Sequence, residues 1–357
     1  MDDRSAPFYG GRLQQARELR RLTQAQLAAD VSSPAVAGRV LSRGAIAQYE
    51  NGLAAPGPAV LTQLAERLRV EPGFFAVPIH GQEMTASFRS LRSASAAERR
   101  QARQLAQLIN DAVAVLTSTV RLPEWVQPVE AGRLPPEQSA EAVREAWGLQ
   151  PGPVDNMVLT LERHGAVCAR VPEIDAAVDA FSVPFSPLPV VMLGAAKGKH
   201  DRSRFDAAHE LAHLVLHRDT TKPIKLQEEE AHQFAAAILM PAEQIRPELP
   251  STLDWDQLKA LKRRWRVSLA ALLRRCRSLD RITAEQYTAG MKQMSARRWR
   301  QHEPVDLGPC EQPVLLNRAM TTAGISVQGI AEALRIPTSD LEQLIGPSED
   351  RRPLVRL

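Results

Sequence analysis

The sequence predicts a mostly α, multidomain chain: an all-helical head, an α+β domain with a small sheet, and a helical C-terminal module. Three observations carry this. The chain has 357 residues, more than one hydrophobic core usually organises. Apolar residues recur at three- and four-residue steps along most of it. Two short β-branched runs, AVCARV (166–171) and PVVMLG (189–194), interrupt that pattern in the second half.

The elements follow in order. Residues 12–22 form one helix. Thr23 starts the next, with Gln26 three residues on in a capping-box pattern. Ser42 is a second cap, followed by RGAIAQYE and the stop signal Asn51-Gly52. Pro56 and Pro58 bound a helix at 59–69. The segment 77–95 lacks strong periodicity and reads as a linker. A long helix over 96–120 carries Ala102, Leu105, Leu108, Ile109, Ala112, Val115 and Leu116 on one stripe, ended by Pro123 and Pro128. Helices at 140–147 and 154–164 precede the two strands. Long helices at 204–217 and 227–239 follow, the second stopped by Pro241, then helices at 255–265 and 268–278. Helical patches alternate with turns over 314–345. The expected division is 1–78 for the head, 79–135 for the linker and long helix, 136–305 for the α+β domain and 306–357 for the C-terminal module.

Composition narrows the function. Hydrophobic residues are 44% and charged residues 24%, enough apolar material for real cores. No apolar run approaches the ~20 residues of a membrane span, and MDDRSAPFYGG has no signal-peptide stretch, so no membrane partner is expected. Cys168, Cys276 and Cys310 are odd in number and fit neither a disulfide framework nor a CxxC metal pattern, which points to a reducing cytoplasm. Net charge is +4, unevenly spread: 259–300 holds 13 Lys/Arg against 2 Asp/Glu, a block that suits nucleic acid or a solvated helical face.

The chemistry concentrates in His209-Glu210-Leu211-Ala212-His213. Residues four apart stack on one helical face, so two imidazoles can grip one metal ion. Glu210 sits beside them, placed to take a proton from an attacking water. A second segment, EEEAHQFAAAILMP, begins 15 residues after His213. Glu228 lies on its buried stripe with Ala231 and Ala235, whereas Glu229 and Glu230 rotate away. Two histidines and a carboxylate suit Zn2+, with Mn2+ as a possible substitute. His232, four after Glu228, is placed to orient a ligand from behind. His217, four after His213, could face the same site, but a lone extra histidine is more often polar surface, so it is assigned no role.

FDAAHELAHLVLH followed by EEEAHQFAAAILMP resembles the ImmA/IrrE family of regulatory zinc metallopeptidases, whose second motif is usually E-x-x-A-N-x-F-A with the Glu as third ligand. That maps onto Glu228. His232 stands where the family usually has Asn. The resemblance covers about 140–305, including GPVDNMVLTLERHGAVCARV, VDAFSV and LKRRWRVSLAALLRR. It implies a zincin-like α+β domain that cleaves a transcriptional repressor in stress or mobile-element control.

LTQAQLAADV, LSRGAIAQYENG and VLTQLAERLRV are similar to the XRE, lambda-repressor-like helix-turn-helix. The likeness makes 42–50 the recognition helix, entering the major groove by its N-terminus. Arg43 and Gln48 are the candidate contacts to bases or phosphates, Ser42 lies at the same helix start, and Gln24 is placed to hold a phosphate. SPAVAGRVL departs from the usual tight turn. ISVQGIAEALRIPTSDLEQLI resembles a further small helix-turn-helix-like unit.

The expected function is a cytoplasmic regulator, acting as a homodimer on double-stranded operator DNA, with a protein substrate that is a repressor or the chain itself. A non-catalytic DNA-binding sensor of metal or ligand, and an antitoxin-like repressor, are the alternatives. Glu210 favours the enzyme, since a pure sensor needs no general base.

Overall fold

The head begins where its caps stand in the sequence. Helix α1 (Gly10–Leu19) leads into α2 (Gln24–Val31). Before α2, Thr23 Oγ1 accepts from the Gln26 amide at 3.2 Å while Gln26 Oε1 accepts from the Thr23 amide at 2.9 Å, so two otherwise orphaned donors are satisfied. Ser42 Oγ accepts from the Ala45 amide at 3.1 Å and opens α3 (Arg43–Glu50). Pro58 at the first turn of α4 (Pro58–Leu68) suits its fixed φ and missing donor. A 3-10 turn, Pro72–Ala76, folds Phe74 and Phe75 into the core against α1 and α4. This computed structural model describes residues 7–31, 41–80, 94–126, 128, 131–172, 180–194, 200–218 and 220–345. Most of the 77–95 linker and of the SPAVAGRVL insertion lies outside them.

The long helix is α5 (Ala96–Thr117), started by a complete Ser95/Glu98 capping box. It is joined to the head by buried polar contacts. Arg12 of α1, fully buried, pairs with Asp111 of α5, and Gln104 Nε2 donates to Glu18 Oε2 at 2.8 Å.

The second half runs α6 (Pro136–Ala146), α7 (Met157–Arg163), β1 (Val167–Arg170), β2 (Phe181–Val183), β3 (Val190–Leu193), α8 (His200–Leu216) and α9 (Ile224–Leu239). Then come α10 (Ala242–Ile245), α11 (Trp255–Trp265), α12 (Leu269–Ser278) and α13 (Ala284–Ala296). Three helices close the described chain: α14 (Leu315–Ala323), α15 (Val327–Leu334) and α16 (Thr338–Ile345). The fold is thus mostly helical with one small sheet. Strand β2 and helices α10 and α13 are additions to the elements read from sequence. A three-residue strand shows too little alternation to detect, and α13 opens on a capping box, Thr283/Gln286.

The sheet order is β1-β3-β2, with β1 parallel and β2 antiparallel to the central β3. Alternation along each strand sends side chains to two separate cores. Val167, Ala169, Phe181, Val183, Val190 and Met192 face a core shared with the head, α5 and α14–α16. Cys168, Val191 and Leu193 face the other core, built from α6–α9 and α11–α13. The C-terminal helices pack on α5 and β1 and also reach the head: Arg20 donates to Asp340 Oδ2 at 2.7 Å, and Arg335 pairs with Glu71 at 3.1 Å. Among the described residues no helix is long and apolar enough to cross a membrane.

Candidate metal centre

Helix α8 is walled in by the sheet on one side and α9 on the other. Its small and apolar residues Ala207, Ala208, Leu211 and Ala212 are fully buried and allow that close approach. His209 and His213, one turn apart, turn the same way, and their Nε2 atoms converge to 3.1 Å. Glu228, from the first half of α9, meets them: its Oε2 is 3.6 Å from His209 Nε2 and its Oε1 is 3.7 Å from His213 Nε2. Ligand atoms of the three residues all lie within 4.8 Å of one another. Donors about 2.0–2.1 Å from a tetrahedral zinc stand ~3.3 Å apart, so the set fits such an ion with little adjustment.

Electrostatics favour the same use. Burial first, and then the neighbouring His209 and His217, hold the His213 pKa well down, which keeps its imidazole neutral and its nitrogen open to a metal. Burial also pulls His209 down, but Glu228 and Glu210 outweigh it and the net shift is upward.

Behind His213 lies a relay, although the sequence alone presents His217 as polar surface. His213 Nδ1 is 3.0 Å from His217 Nδ1, and His217 Nε2 is 2.9 Å from Glu230 Oε2. Lys222 Nζ donates to Glu230 Oε1 at 2.7 Å. With Glu230 ionised, His217 donates from Nε2 and must accept at Nδ1. His213 then carries its proton on Nδ1 and presents a bare Nε2 to the metal position. Glu230 thus lies off the His209/His213/Glu228 cluster and on His217. Glu229 is exposed and pairs with Lys225 at 4.0 Å.

Glu210 is 2% exposed, and its Oε2 accepts from Ser182 Oγ at 2.8 Å. Burial above all pushes its pKa up to about 7, with His209 and Ser182 opposing the rise. Glu210, His209, Glu228 and His232 line one cleft of about 140 Å³, together with Ala180, Arg202, Phe205 and Asp206. His232 is exposed, and its ring centroid lies 4.7 Å from that of His209. It stands beside the cluster rather than in it. The sequence offered no sign of Ser182 beyond a polar residue between Phe181 and Val183.

In the head, Arg43 and Gln48 are exposed on α3. Ser42 uses its hydroxyl as the helix cap. Gln24 Nε2 donates to Glu50 Oε2 at 2.8 Å, and Glu50 in turn pairs with Arg17 at 2.5 Å. These four residues lie on α2, α3 and the turn before α3, well separated in sequence from the metal cluster.

Two family models match the chain. Residues 13–75 match the helix-turn-helix family, and residues 162–277 match the IrrE N-terminal-like domain of peptidase family M78. The second span contains His209, Glu210, His213 and Glu228. No curated protein matches the chain.

Proposed function

We propose, from an XRE-type helix-turn-helix and an IrrE/ImmA-like peptidase domain joined in one chain, a cytoplasmic DNA-binding transcriptional regulator that cleaves a repressor. The repressor is a partner or the chain itself, and cleavage switches gene expression in stress or mobile-element control. The observation that carries the reading is Glu210: a buried carboxyl, held by Ser182, beside the His209/His213/Glu228 cluster but outside it. A site that only binds metal needs no such group.

His209, His213 and Glu228 would hold zinc, which when bound would supply Lewis acidity at the scissile carbonyl and the attacking water. Glu210 takes the water's proton and passes it to the leaving amine, a round trip favoured by a pKa of about 7. Ser182 fixes one carboxylate oxygen so that the proton acceptor does not rotate away. The helix-turn-helix docks on operator DNA, and two protomers engage two half-sites.

Metal analysis paired with fragment mapping tests this. Wild type binds one zinc per chain; His209→Ala, His213→Ala and Glu228→Ala lose it, and Glu210→Gln keeps it. Wild type and Glu210→Gln are then incubated with zinc or manganese, with and without extract of stressed cells. Fragments appear with wild type only. Equal fragments from Glu210→Gln exclude this site as their source, and a wild type that cuts nothing leaves a metal-binding regulator.

A further inference from the structure

We propose that Arg100 of α5, outside the helix-turn-helix itself, closes a phosphate-binding notch with Arg43, making the long helix part of the DNA-contacting surface. The inference rests on the head binding DNA and adds a contact that the helix-turn-helix match does not include, since that match ends at residue 75.

The notch is a concave space of about 500 Å³ lined by Arg17, Glu18, Thr23, Gln24, Ala25, Arg43 and Arg100. It lies where α2 begins and α3 begins, the side from which such a head meets the duplex backbone. One of its three arginines is committed differently from the other two. Arg17 is spent internally: its guanidinium is buried, pairs with Glu50 and donates to the Leu22 carbonyl at 2.8 Å. Arg43 is exposed at the first position of α3. Arg100 has a 44% exposed side chain, and among the described residues its acidic neighbour is Glu18, at 4.0 Å, beyond hydrogen-bond reach.

Glu18 does not cancel the notch. It is 4% exposed, and its oxygens already accept from Gln14 at 3.2 Å and from Gln104 at 2.8 Å. Its charge is further offset by Arg17 at 3.5 Å. Two guanidiniums carried by different helices, those of Arg43 and Arg100, therefore line the notch and remain exposed, the cationic lining that a phosphate needs. The position of Arg100 is fixed rather than incidental. Gln101 and Gln104, its neighbours on α5, are bonded to the Leu19 carbonyl at 2.9 Å and to Glu18, so α5 cannot roll without breaking both.

The test uses the full chain and a labelled DNA duplex of about 30 mixed-sequence base pairs, read by fluorescence anisotropy across a salt series. Arg100→Ala is expected to weaken binding about 3- to 10-fold at low salt and to reduce the log–log salt slope by about 0.9 for each phosphate that Arg100 neutralises. Arg100→Lys keeps the cation and keeps most of the slope. Arg163→Ala, an exposed arginine in the last turn of α7, leaves both quantities at wild-type values. Arg100→Ala binding as wild type while Arg43→Ala binds weakly overturns this inference alone. A loss as large with Arg163→Ala overturns it too, since the effect is then net charge. A wild type that binds no duplex at low salt overturns the DNA-binding reading itself.

Discussion

Ser182 Oγ donates to Glu210 Oε2 at 2.8 Å across the interface between β2 and α8. The bond depends on strand alternation: Phe181 and Val183 point into the core shared with the head, so Ser182 between them must point to the metal side. Ser182→Ala is expected to leave zinc content unchanged and to slow cleavage about ten-fold, a typical loss for a partner that orients a working group. Fragment formation at the wild-type rate would show that Glu210 needs no such support.

The relay behind His213 makes a second prediction. His217→Ala removes the partner that holds His213 in the metal-binding tautomer, Glu230→Gln removes the carboxylate that fixes the tautomer of His217, and for each zinc affinity should fall about 10- to 100-fold. Glu229→Gln, on an exposed side chain, should bind zinc as wild type does. Competition against a chromophoric chelator measures all three. Equal losses at Glu229 and Glu230 would mean that only net charge on α9 matters.

A third prediction concerns pH. Glu162 is buried, and burial, opposed by the Val314 and Leu315 amides and by Arg318, pushes its pKa from 4.5 up to about 8. Its folded-state pKa lies above its unfolded value, so between these two values the folded chain holds a proton that the unfolded chain releases. Stability from this group is complete below about pH 4.5 and is lost as pH rises toward 8, with a slope of up to ~1.4 kcal/mol per pH unit. Glu162→Gln should remove that slope. Urea midpoints of both proteins at pH 5 and pH 8 give the comparison; parallel curves would place the proton elsewhere.

A fourth follows from the shared core. A site for a sequence-specific protease placed within 81–93 lets the chain be nicked between head and long helix. The pieces should still elute together, because α1 stays tied to α5 through Arg12 and Asp111 and to α16 through Arg20 and Asp340. Self-cleavage in this segment therefore does not by itself free the head. Separate elution after nicking would show that the apolar packing of the first core is weaker than its extent implies.

The His209/His213/Glu228 cluster was legible because its information is local. His209 and His213 are one turn apart, and Glu228 could be phased against Ala231 and Ala235 on its own helix. His217 was visible at the next turn, but its role depends on Glu230, which α9 brings alongside only in three dimensions. Ser182 belongs to a strand of three residues whose partner β3 is set by pairing, not by pattern. In the head, Ser42 and Thr23 announced their helices. Gln24, expected at a phosphate, also donates to Glu50, 26 residues away, and nothing in the spacing disclosed that partner. The joining of head and C-terminal helices was equally hidden, since it depends on pairs such as Arg20 and Asp340, 320 residues apart.

That separation has a consequence for how the chain is made. The head's own residues emerge early, but the helices that complete its core, α14–α16, are among the last described. Roughly 240 residues lie between them, and at ~5–20 residues per second their synthesis takes on the order of 10–50 s. Throughout that interval the growing chain carries a head whose docking surface is unfinished, with Leu316, Ala319, Ile330 and Leu341 not yet in place against α5 and the sheet. Pairings this distant in sequence also form slowly once both halves exist. Newborn chains are thus the population most exposed to chaperones and proteases, and a premature stop before α14 yields a product with a folded head and a bare apolar flank.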